Sequence, residues 1–165
     1  MTLRADRKDG TSAFIRDDER GVVVEVSTAR HLLERYPDFR TARLVKTDTD
    51  GYDYEIVESF LAAGLAHPCV FFLEHDPHFG TDGLRASERL RATLLRSGYG
   101  SGLWWDNFGR FLLAQDLRDE RSWNSLTAYV PAPGSAYYWD VAVFPEADTD
   151  IARTLMQREL PTRPR

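Results

Sequence analysis

Lysine is almost missing from this chain: Lys8 and Lys46 are its only two, and the remaining basic residues are arginine. The composition of a GC-rich genome accounts for such a bias before a phosphate site does. A net charge of −5 leaves no broad basic surface, so neither nucleic acid nor an anionic membrane is an expected partner. Cysteine is scarcer still. Cys69 stands alone, which excludes an internal disulfide and a thiolate-rich metal site. It lies in the run Cys69-Val70-Phe71-Phe72-Leu73, where a buried, inert thiol is expected. Apolar stretches stop at strand length, and neither a signal peptide nor a membrane span is visible, so the expected location is cytoplasmic. Internal repeats, low-complexity tracts and domain-splitting linkers are absent too, as are a Gly-x-Ser-x-Gly elbow, a His-Glu-x-x-His pair and a phosphate loop.

What remains reads as one ordinary domain over 1–165. At 165 residues, 42% hydrophobic and 12% aromatic, the chain carries enough apolar surface to offset the entropy of ordering it. Residues 1–11 are polar, end in the turn signal Asp9-Gly10, and are expected to fray, as is the tail 161–165. Strands are expected at Ala13–Arg16 and Val22–Val26 around the charged turn Asp17–Gly21, then a helix over Ala29–Tyr36 stopped by Pro37. A strand at Ala42–Thr47 leads to a helix over Tyr52–Ala66, and the apolar run Cys69–Leu73 reads as a strand covered on both faces. Leu84–Ser97 forms a helix with Leu84, Leu90, Leu94 and Leu95 inward, closed by Gly98. Leu103–Trp105 and Phe111–Leu113 flank a hairpin turn near Asn107–Gly109. A helix near Trp123–Tyr129, a turn at 131–134, a strand at Tyr137–Phe144 and a helix over Asp148–Glu159 complete the chain. Alternating strands and helices with antiparallel late strands imply an α/β sheet that is mainly parallel.

The chemistry concentrates where the strand ending at Thr47 empties into Asp48-Thr49-Asp50-Gly51-Tyr52-Asp53. In an open parallel sheet, ligands sit beyond the carboxyl ends of the strands. Carboxylates there can accept hydrogen bonds from a ligand's hydroxyl or ammonium groups, hold a cation or act as a general base. Asp50 or Asp53 can equally cap the following helix. Three carboxylates at one strand end favour a site over capping alone, and Gly51 lets the backbone turn sharply.

The segment Lys46-Thr47-Asp48-Thr49-Asp50-Gly51-Tyr52-Asp53 resembles the strand-end motif of FkbM-type, S-adenosylmethionine-dependent methyltransferases, Lys-Ile-Asp-x-[Asp/Glu]-Gly-x-[Asp/Glu], and departs from it only at Thr47. The flanks Val22–Tyr36 and Phe71-Phe72-Leu73-Glu74-His75-Asp76-Pro77 agree with the family, as do Trp105–Gly109 and Tyr138–Val141 with late segments of some members, so the likeness covers roughly residues 10–150. The resemblance implies the C-terminal half of a Rossmann-like class I methyltransferase sheet, incomplete at its N-terminal side. It implies methyl transfer from S-adenosylmethionine to a small-molecule acceptor, often a hydroxyl on a sugar or natural product. Asp48, Asp50 and Asp53 would border the acceptor, with Glu74 or His75 nearby, and replacing Asp50 by Asn would abolish activity.

The cofactor half is what the resemblance does not find: the family's opening strand, Gly-rich turn and ribose-binding acid would all precede residue 10. Gly98-Tyr99-Gly100-Ser101-Gly102 imitates such a turn, but it follows a helix and leads into a strand, the reverse of what a cofactor loop needs. Two readings follow, a piece of a longer enzyme or a non-catalytic module that binds or interacts. A hydrolase with paired carboxylates is weaker, because nothing fixes two of them across a substrate. His75 and His78 with neighbouring carboxylates suggest a metal only loosely, since their spacing is no known zinc signature. Asp48-Thr49-Asp50-Gly51 fails as a calcium loop because its glycine comes too early. Tyr52, Trp105 and Asp106 are candidate substrate contacts, although Trp104, Trp105, Trp123 and Trp139 can as well be core. The unpaired edge of an incomplete sheet makes homo-oligomerisation an expectation.

Overall fold

The computed structural model describes residues 2–8, 11–16, 22–25, 27–49, 51–77, 83–130 and 137–160. Asp50, His78, the turns at Asp9-Gly10, Asp17–Gly21 and 131–134, and the tail 161–165 lie outside the described residues. The chain opens with strands β1 (Thr2–Lys8), β2 (Thr11–Arg16) and β3 (Val22–Glu25), joined as an antiparallel sheet in the order β2-β1-β3. The opening residues expected to fray thus hold a strand. β2 and β3 do not pair with each other; each takes β1 as its partner, which gives both a ladder for their backbone groups.

Thr28 caps helix α1 (Ala29–Arg35) by accepting from the His31 N–H, and Pro37 turns the chain into a short 3-10 stretch, Pro37–Thr41. Strand β4 (Leu44–Lys46), helix α2 (Asp53–Ala63) and strand β5 (Val70–His75) form a strand–helix–strand unit whose two strands pair in parallel. Helix α3 (Gly83–Arg96) ends at Gly98, whose φ of +82° only glycine adopts cheaply. Its buried stripe is Ala86, Ser87, Leu90 and Leu94, whereas Leu84, expected inward, is exposed. Strands β6 (Tyr99–Asp106) and β7 (Phe111–Asp116) make the expected hairpin. Helix α4 (Glu120–Tyr129) starts earlier than expected because Asp119 caps it through Ser122. Strand β8 (Trp139–Pro145) and helix α5 (Thr149–Glu159) close the fold.

The five later strands form one sheet in the order β4-β5-β8-β6-β7. The architecture is α/β with a mixed sheet, and the expectation of mainly parallel pairing is corrected. Only β4–β5 is parallel; β5–β8, β8–β6 and β6–β7 are antiparallel. β6 runs in the same direction as β5, but β8 inserts between them and converts what would be a parallel contact into two antiparallel ones.

The two faces of this sheet differ. On one, Phe71, Leu73 and His75 of β5, Val141 and Val143 of β8 and Trp104 of β6 are buried with Tyr54 and Val57 of α2, Leu90 and Leu94 of α3 and Trp123 of α4. On the other, α5 is the one helix among the described residues that packs, against Leu103, Ala142 and Phe144, with Val70, Phe72 and Trp105 half-buried. β5 therefore alternates half-buried and buried along its length instead of being covered on both faces. Among the described residues no helix is long and apolar enough to cross a membrane.

Candidate functional site

The parallel β4–β5 pair directs attention to its carboxyl end. β4 stops at Lys46, the Thr47 N–H donates to the Phe72 carbonyl (2.9 Å), and Gly51 turns the loop with φ +111° into α2. Asp53 opens α2 without capping it. Its Oδ2 reaches back to accept from the Thr49 hydroxyl (2.9 Å) and backbone N–H (3.3 Å), closing the loop on itself. Asp53 is only 3% exposed, and its Oδ1 has no partner among the described residues. The hydroxyl of Thr47, the one departure from the motif, is likewise buried and unpartnered among them. Asp48 is exposed and forms a salt bridge with Lys46. Tyr52 is half-buried at the N-cap position of α2.

Strand register decides which of the other candidates join this edge. Residues directly opposite on neighbouring strands share a face, so Lys46, Phe72, Ala142 and Leu103 form one row across the sheet. The next row towards the carboxyl end of β5 is Glu74, Asp140 and Trp105, all half-buried on the same, lightly covered face. Asp140 was not among the residues singled out from sequence; only the pairing of β8 against β5 brings it to Glu74. Burial first, then the negative charges of Asp48 and Asp53, hold its carboxyl above the usual range, against the opposing pull of Lys46. Lys46 in turn is raised by its bond to Asp48, with further support from Asp140 and Asp53. Lys46, Asp48, Asp53 and Asp140 thus form one electrostatic cluster.

His75 and Asp106 go elsewhere. They belong to the row His75, Trp139, Asp106 on the opposite face. Asp106 Oδ1 accepts from the N–H groups of Phe108 and Arg110, both at 2.9 Å, and so builds the β6–β7 turn. His75, one of the two residues expected near the acceptor, is instead fully buried, its ring edge-on to Trp104 and Trp123. The Thr127 hydroxyl donates to the Trp123 carbonyl (2.9 Å), so towards His75 Nε2 (3.1 Å) it must accept. Nε2 therefore carries the proton, and Nδ1 accepts from the Tyr54 hydroxyl at 2.9 Å. Ser87 completes the network, accepting from the Trp123 indole (2.8 Å) and lying 3.2 Å from Thr127. Burial pushes the His75 pKa down to about 3, so the imidazole stays neutral and serves as a core connector rather than a base.

Beside the carboxylate edge, the open face sinks into a groove of about 350 Å3 between β4 and α5, floored by Phe72, Ala142 and Phe144 and walled by Leu44, Ile151 and Leu155. Trp105 closes one end, braced by Phe72 and Phe111 with ring centroids 6.0 and 5.8 Å away. A second hollow of about 520 Å3 lies among β6, β7 and α5 and holds none of the sequence-derived candidates. Among the described residues no group of His, Cys, Asp or Glu is arranged to hold a metal. Cys69 is buried, with its thiol pushed up by burial. No protein-family model, curated protein or solved structure matches this chain significantly.

Proposed function

We propose that this chain forms the acceptor side of an FkbM-type, S-adenosylmethionine-dependent O-methyltransferase. The observation that carries the reading is the Lys46–Asp53 motif at the carboxyl end of a parallel strand, where open α/β sheets bind ligands. Support comes from Asp53 at that exit, whose buried carboxylate keeps one oxygen without a donor among the described residues, and from an apolar groove that Lys46 of the same motif helps to line.

The described residues do not fit S-adenosylmethionine itself. They contain no strand, Gly-rich turn and helix in that order, and Gly100-Ser101-Gly102 lies inside β6. The cofactor's binding segment is therefore sought outside them. What the chain's own residues supply is a place for the acceptor and a proton acceptor. Trp105 and Phe72 offer apolar and aromatic surface, and Asp140 is a carboxylate of raised proton affinity beside them. A base closer to neutrality takes a hydroxyl proton more readily than an ordinary carboxylate.

The test uses the protein purified from its source cells, with its mass checked by immunoblot against the 18.9 kDa of this chain. Radiolabelled S-adenosylmethionine and the cell's small-molecule extract serve as donor and acceptor pool. Transfer that disappears in a folded Asp53→Asn variant supports the reading. Full turnover by that variant removes the carboxylate from the site, and no transfer by the native protein moves the chain to a binding role.

A further inference from the structure

We propose that the outer edge of β7 is a self-association surface, and that its occupant is the same edge of a second copy of this chain, paired antiparallel about a two-fold axis at Leu113. Pairing of this kind is independent of methyl transfer.

The five-stranded sheet has two edges, and they are finished differently. β4 is three residues long, with Arg43 just before it and Lys46 at its end, a short and charged edge that discourages pairing. β7 runs for six residues, Phe111-Leu112-Leu113-Ala114-Gln115-Asp116, with no proline or basic residue and its one charge at the end. Its one blunting device is the register shift opposite Trp104 and Trp105, which leaves Leu113–Asp116 in regular pairing with β6. Among the described residues no strand pairs with its outer side. The Leu117 N–H donates to the Gly100 carbonyl at 2.9 Å, and bonding alternates along an antiparallel ladder. Gln115 and Leu113 therefore turn their backbone groups to β6, while the exposed Ala114 and Asp116 turn theirs outward.

The strand complements itself when reversed about Leu113. In that register Arg110 faces Asp116 of the second copy, Leu112 faces its Ala114, and the two Leu113 residues meet; the two-fold axis makes each unequal contact twice. Arg110 is exposed over the Phe108 ring at 5.9 Å and has no carboxylate partner among the described residues. Asp116 uses only Oδ1, on the Arg118 backbone N–H (2.9 Å) and more distantly on its guanidinium (3.4 Å). The long Arg110 side chain spans the offset that the unpaired Leu112 introduces. Leu112, 40% exposed, gains a small neighbour in Ala114, and the Leu113 side chains, each packed on the core of the closed face, join the two cores. Outward groups must meet outward groups, so the axis passes through a residue and not between two. An axis at Ala114 sets Arg110 against Arg118, like against like, and an axis at Leu112 leaves Asp116 opposite Phe108. Leu113 alone of the three pairs both charges.

Sedimentation equilibrium and amide hydrogen exchange on the full chain decide the matter. The mass is expected to rise with concentration from 18.9 kDa towards twice that value, and the Ala114 and Asp116 amides to exchange slowly only in the dimer. Ala114→Pro removes an N–H that β6 does not use, so it should hold the chain monomeric at every concentration with its unfolding temperature unchanged. Arg110→Glu should weaken the dimer about tenfold, and adding Asp116→Arg should restore it. A native chain still monomeric at about 0.5 mM, a dimer that survives Ala114→Pro, an Arg110→Glu variant of unchanged affinity, or a double variant no tighter than the single would each overturn the proposal. So would Ala114 and Asp116 amides that exchange slowly in the monomer, which would give the edge to a segment of the same chain. No methyl transfer enters this readout, so its failure and the failure of the methyltransferase reading are separate results.

Discussion

The two faces of the five-stranded sheet are built to opposite standards. The face under α2, α3 and α4 is closed. Its one histidine has both ring nitrogens hydrogen-bonded, and its aromatic rings interlock with centroids 5.0 to 5.2 Å apart. The face under α5 is less covered among the described residues, with an apolar groove, a half-buried tryptophan and Asp140, whose carboxyl burial holds above the usual range. Among the described residues the closed face itself keeps one unpartnered donor, the Trp104 indole N–H, and at the β4–α2 exit Thr47 and Asp53 keep acceptors without donors.

The sharpest way to break this comparison is to damage the closed face. His75→Ala leaves a cavity beside Trp104 and Trp123 and strands Tyr54 and Thr127, so unfolding free energy should fall by about 3–5 kcal/mol in urea titration. Acid should find the same weak point. His75 binds a proton near pH 6.5 when unfolded and only near pH 3 when folded, so the unfolded state holds more protons between those values. Stability is then complete above pH 6.5 and drains as pH falls, by up to roughly 1.4 kcal/mol per pH unit from this group. A His75→Gln variant, compared with wild type across pH 4 to 7, should show a flatter profile over that window.

Changes at the β4 exit and on the α5 side should be small or favourable. Thr47→Val keeps the shape and removes a buried hydroxyl that has no partner among the described residues, so a gain of about 1 kcal/mol is expected in the same titration. A loss of similar size would mean that the hydroxyl is bonded in solution. Smallest of all, Ile151→Ser on the exposed wall of the groove should change stability by under about 0.5 kcal/mol.

How much of this was legible in the sequence follows from the range of the signals. Local signals were sufficient for elements: the stripe Leu90-Leu94 with Gly98 placed α3, and Asp106 to Gly109 placed the β6–β7 hairpin. The Lys46–Asp53 motif marked the strand exit because a strand, a glycine turn and a helix are contiguous there. Pairing is not contiguous. Nothing in Trp139–Pro145 announces that β8 inserts antiparallel between β5 and β6, so the sheet reads as mainly parallel and Asp140 stays invisible. His75 was misread for a related reason. A histidine at a strand exit points to the crevice or to the core according to strand parity and to which face the helices cover, and Tyr54 and Thr127 come from distant helices. The apolar run of β5 likewise says that both faces tolerate hydrophobic residues, not that both are covered.

Asp140→Asn tests the account most directly, by methyl transfer in the native protein with unfolding temperature as the control. The folded state raises this carboxyl's proton affinity, so its ionised form weakens the fold at neutral pH, and Asn retains the neutral state. The predicted result is a protein that melts no lower than wild type and transfers no methyl group. A variant that folds and turns over at the full rate would contradict the assignment of the open face as the site.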